Sequence, residues 1–344
     1  MDNGCVNLGI IGLGNWSRQI FQAVGQLPEA KIAACYSRYP DTREAYAKEY
    51  DCVACEQYEQ MTDDPNIDGI VIMSSNSSHE GDVTLAASKG KHVFVTKPIA
   101  TTVAAGKRMI AACEEHGVIL GVEHQTRREP ALRKLKEVLE SGELGDVRLV
   151  EANYSTPNGL KVQAGDWRCS DDECPGGALI QIGIHVIDTL HYLFGEVGRV
   201  FSWQDGGGLE VDIKGVTATL LEFETGLRGY LGSTYVTSFS HWIRVYGTKK
   251  NAFYNELGGL TLTEDSWETG EVRSDIADAA NVTAPMPAIV EEIGEFVECI
   301  RTGERPEIGG EAALHNLAVV LAAVESDKSG VPVTIASMVG DSQA

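Results

Sequence analysis

Asn7-Leu-Gly-Ile-Ile-Gly-Leu-Gly-Asn-Trp-Ser17 joins an apolar run to two glycines, and a helical pattern follows from Arg18 to Val24. The order is strand, glycine turn, helix. Gly12 permits a tight turn, and Gly14 lets backbone N–H groups approach a pyrophosphate at a helix N-terminus. Ser17 stands at the third glycine position and is still small enough for close helix–strand packing. Working outward, strands at 31–36, 68–73, 92–96 and 118–122 alternate with helices at 42–50, 81–88 and 103–116. That alternation predicts a Rossmann-type, doubly wound parallel sheet.

Ligands bind such sheets beyond the carboxyl ends of the strands. The candidate cofactor residues are therefore Gly12, Leu13, Gly14, Asn15 and Trp16 after the first strand, with Ser37 and Arg38 after the second. Ser74, Ser75, Asn76 and His79 follow the third, and Lys97 and Pro98 the fourth. Ser37-Arg38 stands where an acid would bond a ribose 2′-hydroxyl. A hydroxyl and a guanidinium suit a 2′-phosphate, so NADP(H) is expected, with NAD(H) the alternative.

The chain has 344 residues, more than one core usually holds, so two domains are expected, 1–123 and 124–344. Lys and Arg number 28 against 50 Asp and Glu, a net charge of −22. Such a surface repels nucleic acid and anionic membranes. No apolar run approaches the roughly 20 residues of a membrane span, and the start lacks a signal-peptide pattern. Eight scattered cysteines suit a reducing cytoplasm, and Cys52-Val-Ala-Cys55 has no second pair to complete a zinc set. No metal is expected.

In the second half, a helix at 131–141 leads to a strand at 147–155. A polar loop at 155–175 then carries Asp166-Trp167-Arg168, which either contacts a substrate or is a surface loop held by Trp167. Strands in series from 199 to 263 without intervening helices, notably 216–223, 227–235 and 242–247, predict an α+β domain with an open, mainly antiparallel sheet. Its free face suggests a homodimer or homotetramer. Helices at 288–301 and 311–328 close the chain.

Thr96-Lys97-Pro98 resembles the Glu-Lys-Pro tripeptide of the glucose–fructose oxidoreductase, inositol dehydrogenase and MocA family. Ser74-Ser75-Asn76-Ser77-Ser78-His79 is similar to that family's Thr-Pro-Asn-x-x-His loop, and Arg127-Arg128-Glu129-Pro130 to the stretch opening its second domain. The run from Gly176 to Asp188 looks like its catalytic helix, and Val245-Tyr-Gly-Thr-Lys249 like its Gly-Thr strand end. Two departures stand out: Thr96 replaces the glutamate, and Gln181 stands where the family commonly has an aspartate.

The resemblance implies an NAD(P)-dependent oxidoreductase acting on a ring secondary alcohol or ketone of a sugar or cyclitol. His185 would move the hydroxyl proton, since imidazole titrates near neutrality, and Lys97 would stabilise alkoxide character. Asp188, three residues on, is within reach of His185 on one helix face. Gln181 either positions substrate or packs against the wall; Asp166, Trp167, Arg168, Arg127 and His124 complete the expected substrate set. The rival readings are a cofactor-binding sensor without turnover and a dehydrogenase of a non-sugar alcohol such as an aromatic dihydrodiol.

Overall fold

The computed structural model describes residues 4–266, 270–277 and 286–340. The chain divides into two compact units, Met1–Gln125 with Met286–Leu314, and Thr126–Pro285 with His315–Ala344.

The first unit runs β1 (Val6–Ile11), α1 (Ser17–Val24), β2 (Ala30–Tyr36), α2 (Pro40–Tyr50), β3 (Val53–Cys55), α3 (Glu59–Thr62) and β4 (Gly69–Ile72). It continues with α4 (His79–Ser88), β5 (His92–Val95), α5 (Val103–Glu115) and β6 (Leu120–Val122). All six strands are parallel, in the order β3-β2-β1-β4-β5-β6. β4 buries all four of its residues, as a strand covered on both faces must. The order reverses between β1 and β4, where the carboxyl edge of such a sheet opens into a crevice. Gly12 makes that edge possible. Its φ is +85°, and a Cβ there would lie 2.2 Å from the Met73 backbone. The short β3 and α3 escape a reading of sequence periodicity, which needs longer windows.

The second unit begins with α6 (Pro130–Glu140) and β7 (Val147–Ser155). A π turn, Leu179–Gly183, runs into α7 (Ile184–Phe194). Then come β8 (Val197–Asp205), β9 (Val216–Phe223), β10 (Arg228–Thr234), β11 (Ser240–Gly247), β12 (Asn251–Asn255), β13 (Gly259–Ser266) and β14 (Gly270–Ala277). After α8 (Met286–Thr302) and α9 (Gly310–Ser329), β15 (Val333–Thr334) and α10 (Ile335–Val339) finish the chain. The nine-stranded sheet has the order β14-β13-β12-β11-β7-β10-β9-β8-β15. Only β7 and β10 pair in parallel among these strands, so the sheet is mainly antiparallel, as expected.

The helix α8 belongs to the first unit, a return that a single boundary after residue 123 does not contain. Ile289, Ile293, Phe296 and Val297 form one apolar stripe that packs with Leu8, Ile10, Val71 and Phe94 of the parallel sheet. The Phe296 and Phe94 rings lie 5.3 Å apart. An apolar stripe in a sequence announces burial without saying which sheet it covers.

In the second unit, α7 is pinned by a buried ion pair. Arg127 Nε and Nη2 donate to the two Asp188 oxygens at 2.6 Å each. Asn316 Nδ2 donates to Asp188 Oδ1 at 2.8 Å, and His191 Nδ1 lies 2.7 Å from Asn316 Oδ1. Arg127 is 6% exposed and Asp188 fully buried. Two expectations change here. Asp188 turns its carboxylate to Arg127 and Asn316, because the pair supplies the countercharge that burial demands. Arg127, expected at the substrate, gives Nε and Nη2 to that carboxylate and so has a structural role. No described helix is long and apolar enough to cross a membrane.

Removing one partner of a buried pair leaves the other charge stranded. Asp188→Ala is therefore expected to destabilise the second unit by about 3–5 kcal/mol. Replacing both residues by leucine should recover much of that loss. Urea unfolding followed by circular dichroism checks both; equal midpoints for wild type and Asp188→Ala would contradict the assignment.

Candidate active site

In the first unit the site begins at the glycine turn. A Cβ on Gly14 would meet nothing within 4 Å, so the space over this backbone is open. The turn is held from below, where Ser17 Oγ and Tyr46 Oη donate to the Gly14 carbonyl at 2.6 and 2.9 Å. The Ser17 and Gln19 amides donate to the Gly14 and Trp16 carbonyls at 3.1 and 2.9 Å, so the start of α1 offers an anion chiefly its dipole. An open glycine backbone at a helix N-terminus fits a dinucleotide pyrophosphate. Leu13 is half-buried, and Asn15 and Trp16 are exposed.

After β2, the Ser37 hydroxyl accepts from the Tyr39 N–H at 3.2 Å, and Arg38 is exposed with its guanidinium 5.0 Å from the Tyr39 ring centre. After β4, the Ser74 hydroxyl donates to Asp82 at 2.6 Å, and burial raises the Asp82 carboxyl above its ordinary range. The Ser75 and Ser78 hydroxyls lie 2.8 Å apart, and Asn76 is buried. His79 is fully buried, with Nδ1 3.0 Å from the Pro98 carbonyl and Nε2 3.3 Å from the Ser74 carbonyl. It clamps two loops from inside, so the direct cofactor contact expected of it gives way to a structural role.

After β5, Lys97 is half-buried and the Lys97–Pro98 peptide is cis. Thr96 Oγ1 donates to Glu123 at 2.5 Å, and the Trp16 indole N–H donates to the other oxygen of the same carboxylate. Glu123 is missing from the sequence reading. His124, expected at the substrate in the second domain, lies in the first unit, buried, its N–H donating to Glu292 at 2.7 Å.

The second unit supplies a polar cluster around His185, which is 8% exposed in the first turn of α7. The approach to that helix requires glycine. Gly177 has φ +51°, and a Cβ there would sit 2.2 Å from the Lys214 carbonyl oxygen. The π turn ahead of α7 widens the helix where Gln181 leaves it. Gln181 donates through Nε2 to Cys174 Sγ at 2.6 Å and accepts from Tyr235 Oη at 3.2 Å. The Arg168 charge acts on Tyr235, and its guanidinium lies 4.3 Å from the Trp167 ring centre. The tripeptide at 166–168 thus joins the cluster through Arg168; Trp167 is 41% exposed, and Asp166 is exposed and accepts from the Gln163 N–H at 3.0 Å. The Tyr154 ring centre lies 6.5 Å from that of His185. Burial raises both Tyr154 and Tyr235 well above the ordinary phenol range, and Arg168 partly opposes it at Tyr235.

Tyr154 and Tyr235 are absent from the sequence reading. Their signal is topological: β7 and β10 are parallel neighbours, with Ser155 opposite Thr234, so both phenols stand at one end of that pair. Cys174, buried beside the π turn, is a partner of Gln181.

Residues 6–124 match the family model for the oxidoreductase family with an NAD-binding Rossmann fold. Residues 132–252 match the model for the GFO/IDH/MocA C-terminal domain. A crystal structure of an oxidoreductase from Desulfitobacterium hafniense, provisionally described as NADPH-dependent, is 35% identical with a TM-score of 0.90, covering 99% of this chain and 100% of that one. The scyllo-inositol 2-dehydrogenase (NAD(+)) of Bacillus subtilis is 27% identical over 96% of each chain. The 1,5-anhydro-D-fructose reductase of Ensifer adhaerens is 24% identical over 94% of this chain and 96% of its own. Both halves match in order and a 35%-identical structure is covered from end to end, so the chain belongs to the Gfo/Idh/MocA family of NAD(P)-dependent oxidoreductases.

Proposed function

We propose that this enzyme interconverts a ring secondary alcohol and its ketone on a sugar or cyclitol, with Lys97 and His185 as its catalytic pair. The observation that carries the reading is the company of His185: two phenols, an amide and a guanidinium in one cluster of the second unit. Such a wall hydrogen-bonds several hydroxyls at once, which is what a polyol demands and an aromatic ring does not. The inositol dehydrogenase and anhydrofructose reductase relatives support the same class.

The nicotinamide, when bound, supplies or accepts the hydride at the carbinol carbon. Gly12, Gly14 and the start of α1 hold the pyrophosphate, with Asn15, Ser74 and Pro98 along the same sheet edge. In oxidation His185 accepts the hydroxyl proton, and in reduction it returns it. The Lys97 ammonium stabilises negative charge on the reacting oxygen. Gln181, held by Cys174 and Tyr235, presents a neutral amide edge for positioning substrate. Arg38, exposed at the end of β2 with no acid beside it, takes a 2′-phosphate and makes NADP(H) the preferred cofactor; the provisional NADPH description of the Desulfitobacterium relative agrees.

The free thiols of all eight cysteines support a cytoplasmic setting. The open sheet supports assembly with a second copy. Trp203 and Leu220 are 60% and 49% exposed, and the Phe201 and Trp203 rings meet edge to face at 4.5 Å. Leu220 pairs with Phe201 on one side and Tyr230 on the other, so these residues form one apolar patch across three strands.

Three outcomes are expected. His185→Ala loses most turnover, at least a hundredfold by the usual weight of general acid–base catalysis (about 10²–10⁴), while NADPH titrated by fluorescence still binds; full turnover in that variant removes His185 from the mechanism. Arg38→Ala weakens NADPH by about tenfold or more and NADH little, since a charged hydrogen bond contributes about 1.5–3 kcal/mol. Equal losses for both cofactors would take the 2′-phosphate away from Arg38. Trp203→Glu shifts the mass seen by light scattering at micromolar concentration from dimer or tetramer towards monomer, and a monomeric wild type would sink the assembly.

A further inference from the structure

β7 and β11 run antiparallel with Tyr154 directly opposite His241, and the two rings stack with centres 4.4 Å apart and planes 16° from parallel. His241 is 2% exposed. Its carbonyl accepts from the Glu256 N–H at 3.0 Å, and its Nδ1 lies 2.7 Å from Glu256 Oε2, so one residue holds both its backbone and its ring. A carboxylate only accepts, which places a proton on Nδ1. The buried Tyr254 ring meets the imidazole edge-on at 5.3 Å, and the Tyr254 hydroxyl donates to Glu129. Tyr154 itself meets the Phe239 ring edge to face at 6.3 Å, and its centre lies 6.5 Å from that of His185. Tyr154 is half-buried, and its hydroxyl makes no hydrogen bond among the described residues.

We propose that His241, clamped by Glu256, is a positioning residue that sets the Tyr154 hydroxyl to hydrogen-bond a substrate hydroxyl beside His185. The proposal rests on the reading of that cluster as a polyol site. A tyrosine turns about two side-chain torsions, and a flat neighbour fixed at two points removes much of that freedom before substrate arrives. An apolar side chain opposite Tyr154 would fill the same space without burying a polar ring, which is costly unless the ring is bonded. What the Glu256 bond adds is direction: it stops the imidazole rotating, so the face under Tyr154 is constant. The phenol gains and loses no covalent bond in the reaction, so it binds ground state and transition state alike. His241 therefore governs KM and leaves kcat nearly alone.

The direct readout is the Tyr154 ring, followed by NMR in carbon-13 tyrosine-labelled protein, with Tyr154→Phe to assign the signal. A stacked imidazole shifts those ring protons upfield, so His241→Ala should move them downfield, whereas His241→Phe, which keeps a flat ring, should not. Turnover is measured on the best substrate among myo-inositol, scyllo-inositol and 1,5-anhydro-D-fructose with either dinucleotide. His241→Ala should raise KM about five- to tenfold, the weight of one neutral hydrogen bond, with kcat within about threefold. His241→Phe should return KM to within about twofold of wild type. Tyr154→Phe should raise KM by the same factor as His241→Ala, and combining the two should raise it no further, because both remove one hydrogen bond. Multiplied losses, a lower kcat at unchanged KM, or a Tyr154 signal that stays in place in His241→Ala each overturn the proposal. If His241→Ala fails to fold, Glu256→Leu takes its place: a KM rise of about twofold or more is expected, and its persistence in the Tyr154→Phe background overturns the proposal. The two claims fail separately, since turnover of none of the three substrates removes the polyol reading, while the Tyr154 signal still judges whether His241 holds the ring.

Discussion

The contact of Gly12 with the backbone of Met73 constrains everything that follows in the first unit. No side chain fits at 2.2 Å from a peptide carbon, so the chain must turn on glycine as it leaves β1. That close passage aims α1 across the carboxyl edge of the sheet and leaves open room above Gly14. It also sets Trp16 where its indole reaches Glu123, and Glu123 in turn holds Thr96 next to Lys97. A local steric limit thereby fixes where a diphosphate can lie and which end of β5 carries the cation.

The second unit solves a different problem. His185 sits there beside the Tyr154 phenol, with Gln181 four residues before it in the chain. The phenols of Tyr154 and Tyr235 are pushed by burial away from ionisation, and Gln181 is neutral at every pH. The buried pair of Arg127 with Asp188 is internally compensated and anchors α7. On the proposed mechanism, proton transfer falls to His185 and its neighbours sort hydroxyls by geometry.

Most strands and helices of the parallel sheet were legible because their apolar runs are punctuated by glycine or polar ends, whereas β3 and α3 are too short to show a pattern. The antiparallel sheet was legible from strands that follow one another without intervening helices, and β9 then shows the in–out burial of a half-covered sheet. The glycine turn and the ends of β2, β4 and β5 were legible as strand ends because each apolar run stops there at a glycine or polar residue. Other features depend on contacts between distant segments. The Arg127–Asp188 pair spans 61 residues, and the Trp16–Glu123 bond spans 107. The π turn hides inside an apolar stretch whose composition suits an ordinary helix equally well. His79 shows the opposite failure: its motif resembles a ligand loop, yet full burial makes it a clamp.

The placement of α8 has a consequence for biosynthesis. The parallel sheet is complete in sequence by Val122, but the stripe that covers Leu8, Ile10, Val71 and Phe94 is encoded only at 289–297. Between those points the ribosome must deliver the whole stretch from Thr126 to Pro285. At about 5–20 residues per second that interval lasts on the order of ten to thirty seconds. Throughout it the nascent first unit carries an uncovered apolar strip. Early chaperone engagement, and aggregation of chains that terminate before residue 286, are the outcomes to expect during synthesis.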